Sequence, residues 1–306
     1  MRVLITGASG LLGANLTLEA LDAGHDVVAV CNHHPLTLEG VDVCCLDLAE
    51  KGAAEDLIVQ KKPDVVIHCA AATNVDECER EPEMAQRLNA GMTRDVARAS
   101  RSAGAYMIHI STDAVFDGVR GNYSEDDAPN PINVYAASKL AAEVAVAAEN
   151  PGAAIVRTNL FGWNAQAKFS LAEWFLDRFG KGEPFNGFDD VWFSPILVND
   201  LAGILFAVSE RRLAGVFHIA GRDCMTKYEF GCEIAHIFDQ DAGILTAVSV
   251  DDVSLTAPRS KKLCLRIERI QAAISARMPS IRSGLERMDA MEKSGYRTRL
   301  RRMLVD

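Results

Sequence analysis

Tyr135-Ala136-Ala137-Ser138-Lys139 sets a phenol and an ammonium four residues apart, which puts both on one face of a helix. A free tyrosine titrates near about 10, too high for proton transfer at neutral pH, and a nearby cation lowers that value. The pair is therefore expected to exchange a proton with a carbonyl and its alcohol. The spacing alone is a weak signal. Ser111-Thr112-Asp113 strengthens it, because Thr112 ends an apolar run, 106–110, and the carboxyl ends of strands are where open α/β sheets bind ligands. A hydroxyl there can donate to a carbonyl oxygen, although a lone Thr at such a place reads equally well as a cap.

These groups need a reactant. Gly7-Ala8-Ser9-Gly10-Leu11-Leu12-Gly13 follows the first apolar run and opens the first helical pattern. Gly7 suits a tight turn, Gly10 a close backbone approach to a pyrophosphate, and Gly13 tight packing of helix on strand. Ser9, Leu11 and Leu12 lie at the amide-rich helix start. A dinucleotide site follows, and a positive nicotinamide ring would add to the pull on the tyrosine. The second run ends Val30-Cys31-Asn32-His33-His34 without the carboxylate that would bind a ribose 2′-OH. That tilts the choice to NADP(H) through Asn32 and His33, with NAD(H) as the alternative.

The elements that must position these residues alternate. Apolar runs at 3–6, 27–31, 41–46, 64–69, 106–111 and 153–157 are separated by helical patterns at 12–23, 48–60, 83–103 and 131–149. Continuous apolar strands between helices imply a parallel sheet covered on both faces, the doubly wound α/β (Rossmann) class. After residue 157 the rhythm loosens. A helix is expected at 198–210 and a returning strand at 215–220. The domain reading is a cofactor-binding domain at 1–157 plus about 190–220. A smaller, discontinuous α+β substrate lobe takes about 158–189 and 221–306.

The 306 residues carry a net charge of −10, which argues against a nucleic-acid partner. The charge is uneven: residues 258–306 sum to +8 and residues 1–257 to −18. Eight cysteines form no C-x-x-C pair, no apolar stretch is long enough for a membrane, and no leader is apparent. The expectation is a cytoplasmic protein with free thiols. No His/Cys spacing suggests a metal. The basic run at 297–302 reads as an exposed terminal helix or frayed tail.

Taken together, the glycine loop, Ser111-Thr112-Asp113-x-Val115-Phe116-Asp117-Gly118 and Tyr135-x-x-x-Lys139 resemble the extended short-chain dehydrogenase/reductases. Within them, the resemblance is to the dTDP-4-dehydrorhamnose reductase group. His68-Cys69-Ala70-Ala71-Ala72-Thr73-Asn74-Val75-Asp76, Arg157-Thr158-Asn159-Leu160-Phe161-Gly162 and Pro258-Arg259-Ser260-Lys261 agree, over nearly the whole chain. The resemblance implies NADPH-dependent reduction of the 4-keto group of a nucleotide-linked 6-deoxy sugar, by a homodimer. It makes Thr112, Tyr135 and Lys139 the catalytic set. Asp47 and Leu48 would border the adenine, Ala70, Ala71 and Ala72 would line the path to the nicotinamide, and Lys139 would also hold its ribose. Thr73, Asp113, Ala114, Val115, Asn159, Trp163 and Arg259 would serve the substrate.

Two departures stand out. Ala114 replaces the family's usual Tyr, removing an aromatic from the sugar side, and Ala136 replaces the usual Gly. Two other readings stay open: an epimerase of the same superfamily, and a non-catalytic NADP-binding regulatory subunit like that of methionine adenosyltransferase. A dehydratase is disfavoured, since Asp113-Ala114 stands where that class carries Asp-Glu.

Overall fold

The computed structural model describes residues 1–254 and 256–305. Its centre is a sheet of seven parallel strands. β1 (Arg2–Thr6), β2 (Asp26–Cys31), β3 (Val41–Cys45), β4 (Val65–His68), β5 (Tyr106–Thr112) and β6 (Ala154–Thr158) follow in chain order. Three two-residue strands, β7 (Leu160–Phe161), β9 (Trp192–Phe193) and β10 (Ile196–Leu197), and the longer β8 (Phe185–Phe188) come next, before β11 (Gly215–His218) returns to the sheet edge. The order is β11-β6-β5-β4-β1-β2-β3. Chain direction across the sheet therefore reverses between β1 and β4, which opens a crevice at their carboxyl ends. β2, β4, β5 and β6 are buried at nearly every position, as their unbroken apolar runs require.

Helices α1 (Leu11–Asp22), α2 (Ala53–Lys61), α3 (Val75–Arg80), α4 (Pro82–Ala85), α5 (Met92–Ser102) and α6 (Val134–Glu149) lie between the strands. The later helices are α7 (Leu171–Lys181), α8 (Val198–Glu210), α9 (Lys227–Ile237), α10 (Glu268–Ile274), α11 (Ile281–Lys293) and α12 (Tyr296–Arg301). α1 and α8 pack together on one face of the sheet; α2, α5 and α6 pack on the other. β12 (Met225–Thr226) pairs with β9, and β13 (Leu245–Val248) with β8. Around them Phe161, Phe175, Phe179, Phe185, Phe193 and Phe230 form an aromatic cluster under α7 and α9.

Several expected boundaries move, each for a local reason. The helix expected over 48–60 starts at Ala53, because Gly52 takes a left-handed conformation (φ 85°). The long helix expected over 83–103 is interrupted by a π-helical stretch, Gln86–Gly91, whose Asn89 is fully buried. The helix expected from 131 begins at Val134, where the Asn133 side chain accepts the Ala136 N–H.

The cysteine expectation needs correcting too. Cys224 and Cys264, 40 residues apart, form a disulfide; the other six are free. Nothing in their spacing signals it, because the fold alone brings the 221–226 loop to the 261–266 segment. Of the two readings of the basic end, the exposed terminal helix holds and the frayed tail does not. α12 packs on α1, Arg299 pairs with Asp22, and Arg297 and Arg301 reach the buried Glu173.

One ion pair lies deep in the core. Arg157 on β6 and Glu143 on α6 meet at 2.6 Å with both side chains 5% exposed, and Ser111 donates to the same carboxylate at 2.5 Å. Removing one partner strands a buried charge, which costs about 3–5 kcal/mol. Arg157→Met should therefore lower the unfolding free energy by that amount, read from the midpoint of a urea denaturation curve.

Candidate functional site

The crevice between β1 and β4 is lined first by the glycine turn. Gly7 is left-handed (φ +64°), and a Cβ there would sit 2.8 Å from the backbone of Ala70. A Cβ on Gly13 would fall 2.1 Å from the Gly7 carbonyl oxygen. Turn, helix and the exit of β4 are thus packed backbone to backbone. Gly10 caps α1 with no side-chain acceptor, so the first-turn amides face the crevice as an anion site. Leu11 and Leu12 seat that turn on the core, and Ser9 receives the Gln166 side chain on its carbonyl at 2.9 Å. A dinucleotide pyrophosphate fits this cradle. Asn32 and His33 follow β2, both exposed. Asp47 accepts the Ala49 N–H at 2.9 Å, and Leu48 is buried beside it.

On the other wall, the Thr6 hydroxyl accepts the N–H groups of Cys69 and Ala70, at 3.1 and 3.2 Å. Asn89 clamps Ala72 through both its N–H and its carbonyl and reaches Ser138 on α6 at 2.8 Å. Ala70, Ala71 and Ala72 are half-buried, while Thr73 is exposed at the rim.

Thr112, Tyr135 and Lys139 come together where β5 ends against α6. Lys139 is 3% exposed; its ammonium donates to the Ile110 carbonyl at 2.7 Å and approaches His109 Nε2 at 3.4 Å. Burial pushes it down to about 8, with Glu143 and Cys69 pulling the other way. Burial pushes Tyr135 up to about 12, which the Thr112 hydroxyl partly offsets. In this state the Tyr135 phenol is protonated through the neutral range. Beneath lies a stacked pair, His68 and His109, with ring centroids 5.6 Å apart. His68 bridges Thr6 and Thr93, and burial pushes it down to about 3; His109 is likewise held neutral.

Thr112 donates to Asp113 at 3.1 Å, and Asn159 donates to the other carboxylate oxygen at 2.8 Å. Burial pushes Asp113 up to about 6. Ala114 is half-buried beside them. Two expected substrate residues face elsewhere. Val115 is fully buried in the core. Trp163 is 2% exposed, bonded to the Met288 carbonyl and covered by the Arg297 guanidinium, so it is core packing. Arg259 does stand at the cleft but is engaged by Asp76 at 3.0 Å and by the Ala257 carbonyl.

Sequence reasoning missed Asn89, His109 and Lys227. Lys227, first residue of α9, acts electrostatically on Asp113 and Arg259. Only Thr226-x-x-Glu229, a capping box, marks its place in the sequence. Among the described residues no cluster of His, Cys, Asp and Glu suits a metal ion, and no helix is long and apolar enough to cross a membrane.

The RmlD substrate binding domain model matches residues 1–293. The chain belongs to this family. It is 30% identical over 295 residues to a probable low-salt glycan biosynthesis reductase of Haloferax volcanii, covering 95% of this chain and 98% of that one. It is 34% identical over 279 residues to methionine adenosyltransferase 2 subunit beta of Xenopus tropicalis, covering 88% and 82%. Among solved structures it is similar to dTDP-4-dehydrorhamnose reductase of Bacillus anthracis in complex with NADP. That match has a TM-score of 0.83 and 30% identity, over 94% of this chain and 98% of that one. A hypothetical dTDP-4-dehydrorhamnose reductase of Sulfolobus tokodaii aligns with a TM-score of 0.81 and 35% identity, over 92% and 97%.

The Lys139 value carries a sign. The ammonium is charged below about 8 and lost above it. Affinity for NADPH, measured by fluorescence titration, should weaken as pH rises through that value. Lys139→Met should bind more weakly at neutral pH and show a flat profile there.

Proposed function

We propose that this chain reduces the 4-keto group of a nucleotide-linked 6-deoxy sugar with NADPH. The observation that carries the reading is the meeting of the buried Thr112 and Lys139 with the half-buried Tyr135 at the end of β5, in a family whose solved members include a reductase bound to NADP. Bound dihydronicotinamide supplies the hydride that reduces the carbonyl carbon. Tyr135 then gives its phenolic proton to the resulting alkoxide, which becomes the product hydroxyl. A phenol pushed up to about 12 carries its proton at neutral pH, and the Lys139 cation with the bound nicotinamide would bring its acidity toward the working range. Thr112 binds the carbonyl oxygen once its hydroxyl turns from Asp113. Lys139, anchored on Ile110, keeps a cation beside the phenol and holds the cofactor ribose. Gly7, Gly10 and Gly13 admit the pyrophosphate. Asn32 and His33, with no carboxylate after β2, leave room for a 2′-phosphate.

The proposed setting is the cytoplasm, with the chain working as a homodimer. The six free cysteines suit reducing surroundings; the Cys224–Cys264 pair does not.

NADPH oxidation against a panel of 4-keto nucleotide sugars tests the activity. Turnover should appear with at least one of them, with a lower KM for NADPH than for NADH. Tyr135→Phe should keep cofactor affinity and lose about 10²–10⁴-fold in kcat. A variant that retained full turnover would remove Tyr135 from the role.

A second reading rests on the regulatory-subunit relatives at 32–34% identity. NADP binding with no reduction of any panel member, together with co-purification of a methionine adenosyltransferase, would decide for it.

A further inference from the structure

Lys227 is held in place from four sides. The Thr226 hydroxyl accepts the Glu229 N–H at 3.1 Å and Glu229 accepts the Thr226 N–H at 2.7 Å, which fixes Lys227 as the first residue of α9. Its own N–H donates to the Val191 carbonyl at 3.0 Å. Next to that contact, Trp192 exchanges backbone hydrogen bonds with the segment after Arg259, donating to Lys261 at 2.6 Å and accepting from Leu263 at 2.9 Å. That segment rests on the turn following Thr112. Ser260 donates to the Phe116 carbonyl and Lys262 N–H to the Gly118 carbonyl, each at 3.0 Å, and a Cβ on Gly118 would meet Ser260 at 2.6 Å. The Cys224–Cys264 disulfide ties the two sides together just before α9. The ammonium is thereby carried to the sugar end of the cleft, 5.7 Å from the Phe188 ring centroid and within electrostatic reach of Asp113 and Arg259.

The neighbouring cations have partners. Arg259 holds Asp76, and Lys261 holds Asp190 and Asp251. Among the described residues, the Lys227 ammonium has only the Phe188 ring, with neither a hydrogen bond nor an ion pair. A desolvated ammonium without an acceptor is unfavourable, and burial with the nearby Arg259 pushes its pKa down. The residue is half-buried, so an arriving acceptor can reach it.

We propose that Lys227 takes an anionic oxygen of the substrate next to the reacting sugar, and so selects sugars that carry phosphate or carboxylate charge at that point. The proposal rests on the reductase reading of the cleft and adds the residue that chooses the substrate. The Lys227 contact would replace the role first assigned to Arg259, whose guanidinium is already taken.

The test uses the full-length protein with Lys227→Met and Lys227→Arg. Binding of UDP and dTDP is measured by calorimetry, and KM for an accepted nucleotide sugar by NADPH oxidation. Lys227→Met should weaken nucleoside diphosphate binding about 10- to 100-fold, the range of a lost charge-assisted hydrogen bond. Lys227→Arg should restore most of it, and both variants should keep wild-type NADPH affinity and melting temperature. That result assigns the oxygen to a phosphate. Unchanged UDP and dTDP binding, with a raised KM confined to 4-keto nucleotide sugars that carry a uronic carboxylate in place of the 6-deoxy methyl, assigns it to the carboxylate and moves the substrate from the 6-deoxy class to the uronates. Unchanged values in both assays overturn the proposal, as does a wild-type protein that binds neither diphosphate and no uronate. If wild-type protein binds a diphosphate but reduces no sugar, the reductase reading falls, and the Lys227→Met binding loss still decides the anion contact.

Discussion

Everything at the reactive end of the cleft depends on how α6 buries its polar face. Ser138, Lys139 and Glu143 are all buried, on a helix face that would ordinarily be apolar. Each is matched: Ser138 by Asn89 and the Tyr135 carbonyl, Lys139 by the Ile110 carbonyl, Glu143 by Arg157 and Ser111. Apolar packing tolerates small slips of a helix along a sheet. Hydrogen-bonded buried charges do not, because a slip leaves each of them unsatisfied. The register that places Tyr135 opposite Thr112 is thus set by polar contacts one and two turns further along α6. The π-helical stretch belongs to the same constraint, since it carries Asn89, which ties Ser138 to the Ala72 backbone after β4.

The charge asymmetry has an intramolecular explanation. The basic C-terminal region docks on the acidic body through Arg299 with Asp22, Arg287 with Asp200 and Glu19, Arg282 with Glu233, and Arg269 with Asp126. Exposed pairs of this kind contribute roughly 0–1 kcal/mol each, so they orient the segment more than they stabilise it. The apolar contribution comes from Leu285, Met288, Leu300 and Met303, all buried in the main core. The tail then closes on the loop after β2. Thr37 N–H donates to the Met303 carbonyl at 2.7 Å, and Val305 N–H to that of Pro35 at 3.1 Å. A region with no recognisable motif thereby supports the loop that would surround the cofactor's adenosine.

What could be read in the sequence follows from the range of the interactions involved. The parallel strands were legible because burial on both faces demands unbroken apolar runs, and the glycine turn because backbone contacts below 3 Å leave no room for a Cβ. Tyr135 and Lys139 were legible because helical periodicity alone makes them neighbours. Trp163 and Val115 misled for one reason: a motif position states where the backbone goes, and which way a side chain turns depends on partners such as Met288 and Arg297, more than a hundred residues away. Lys227 and the Cys224–Cys264 pair left no local trace. Their meaning arises only when α9 and the 259–264 segment are folded onto the turn after Thr112.

The proton affinities of the site also describe its resting state. An enzyme working as an alcohol dehydrogenase needs a phenolate poised to accept, and would gain from a cation in contact with Tyr135. Here Lys139 is turned onto the Ile110 carbonyl, the two histidines below are neutral, and burial holds the phenol proton in place. Asp113 adds to this. Its carboxylate, nearby and without a cation bonded to it among the described residues, makes a phenolate harder to form. Each feature favours a loaded acid over a free base. At rest, a site built this way holds a protonated phenol, ready to meet its substrate as a carbonyl.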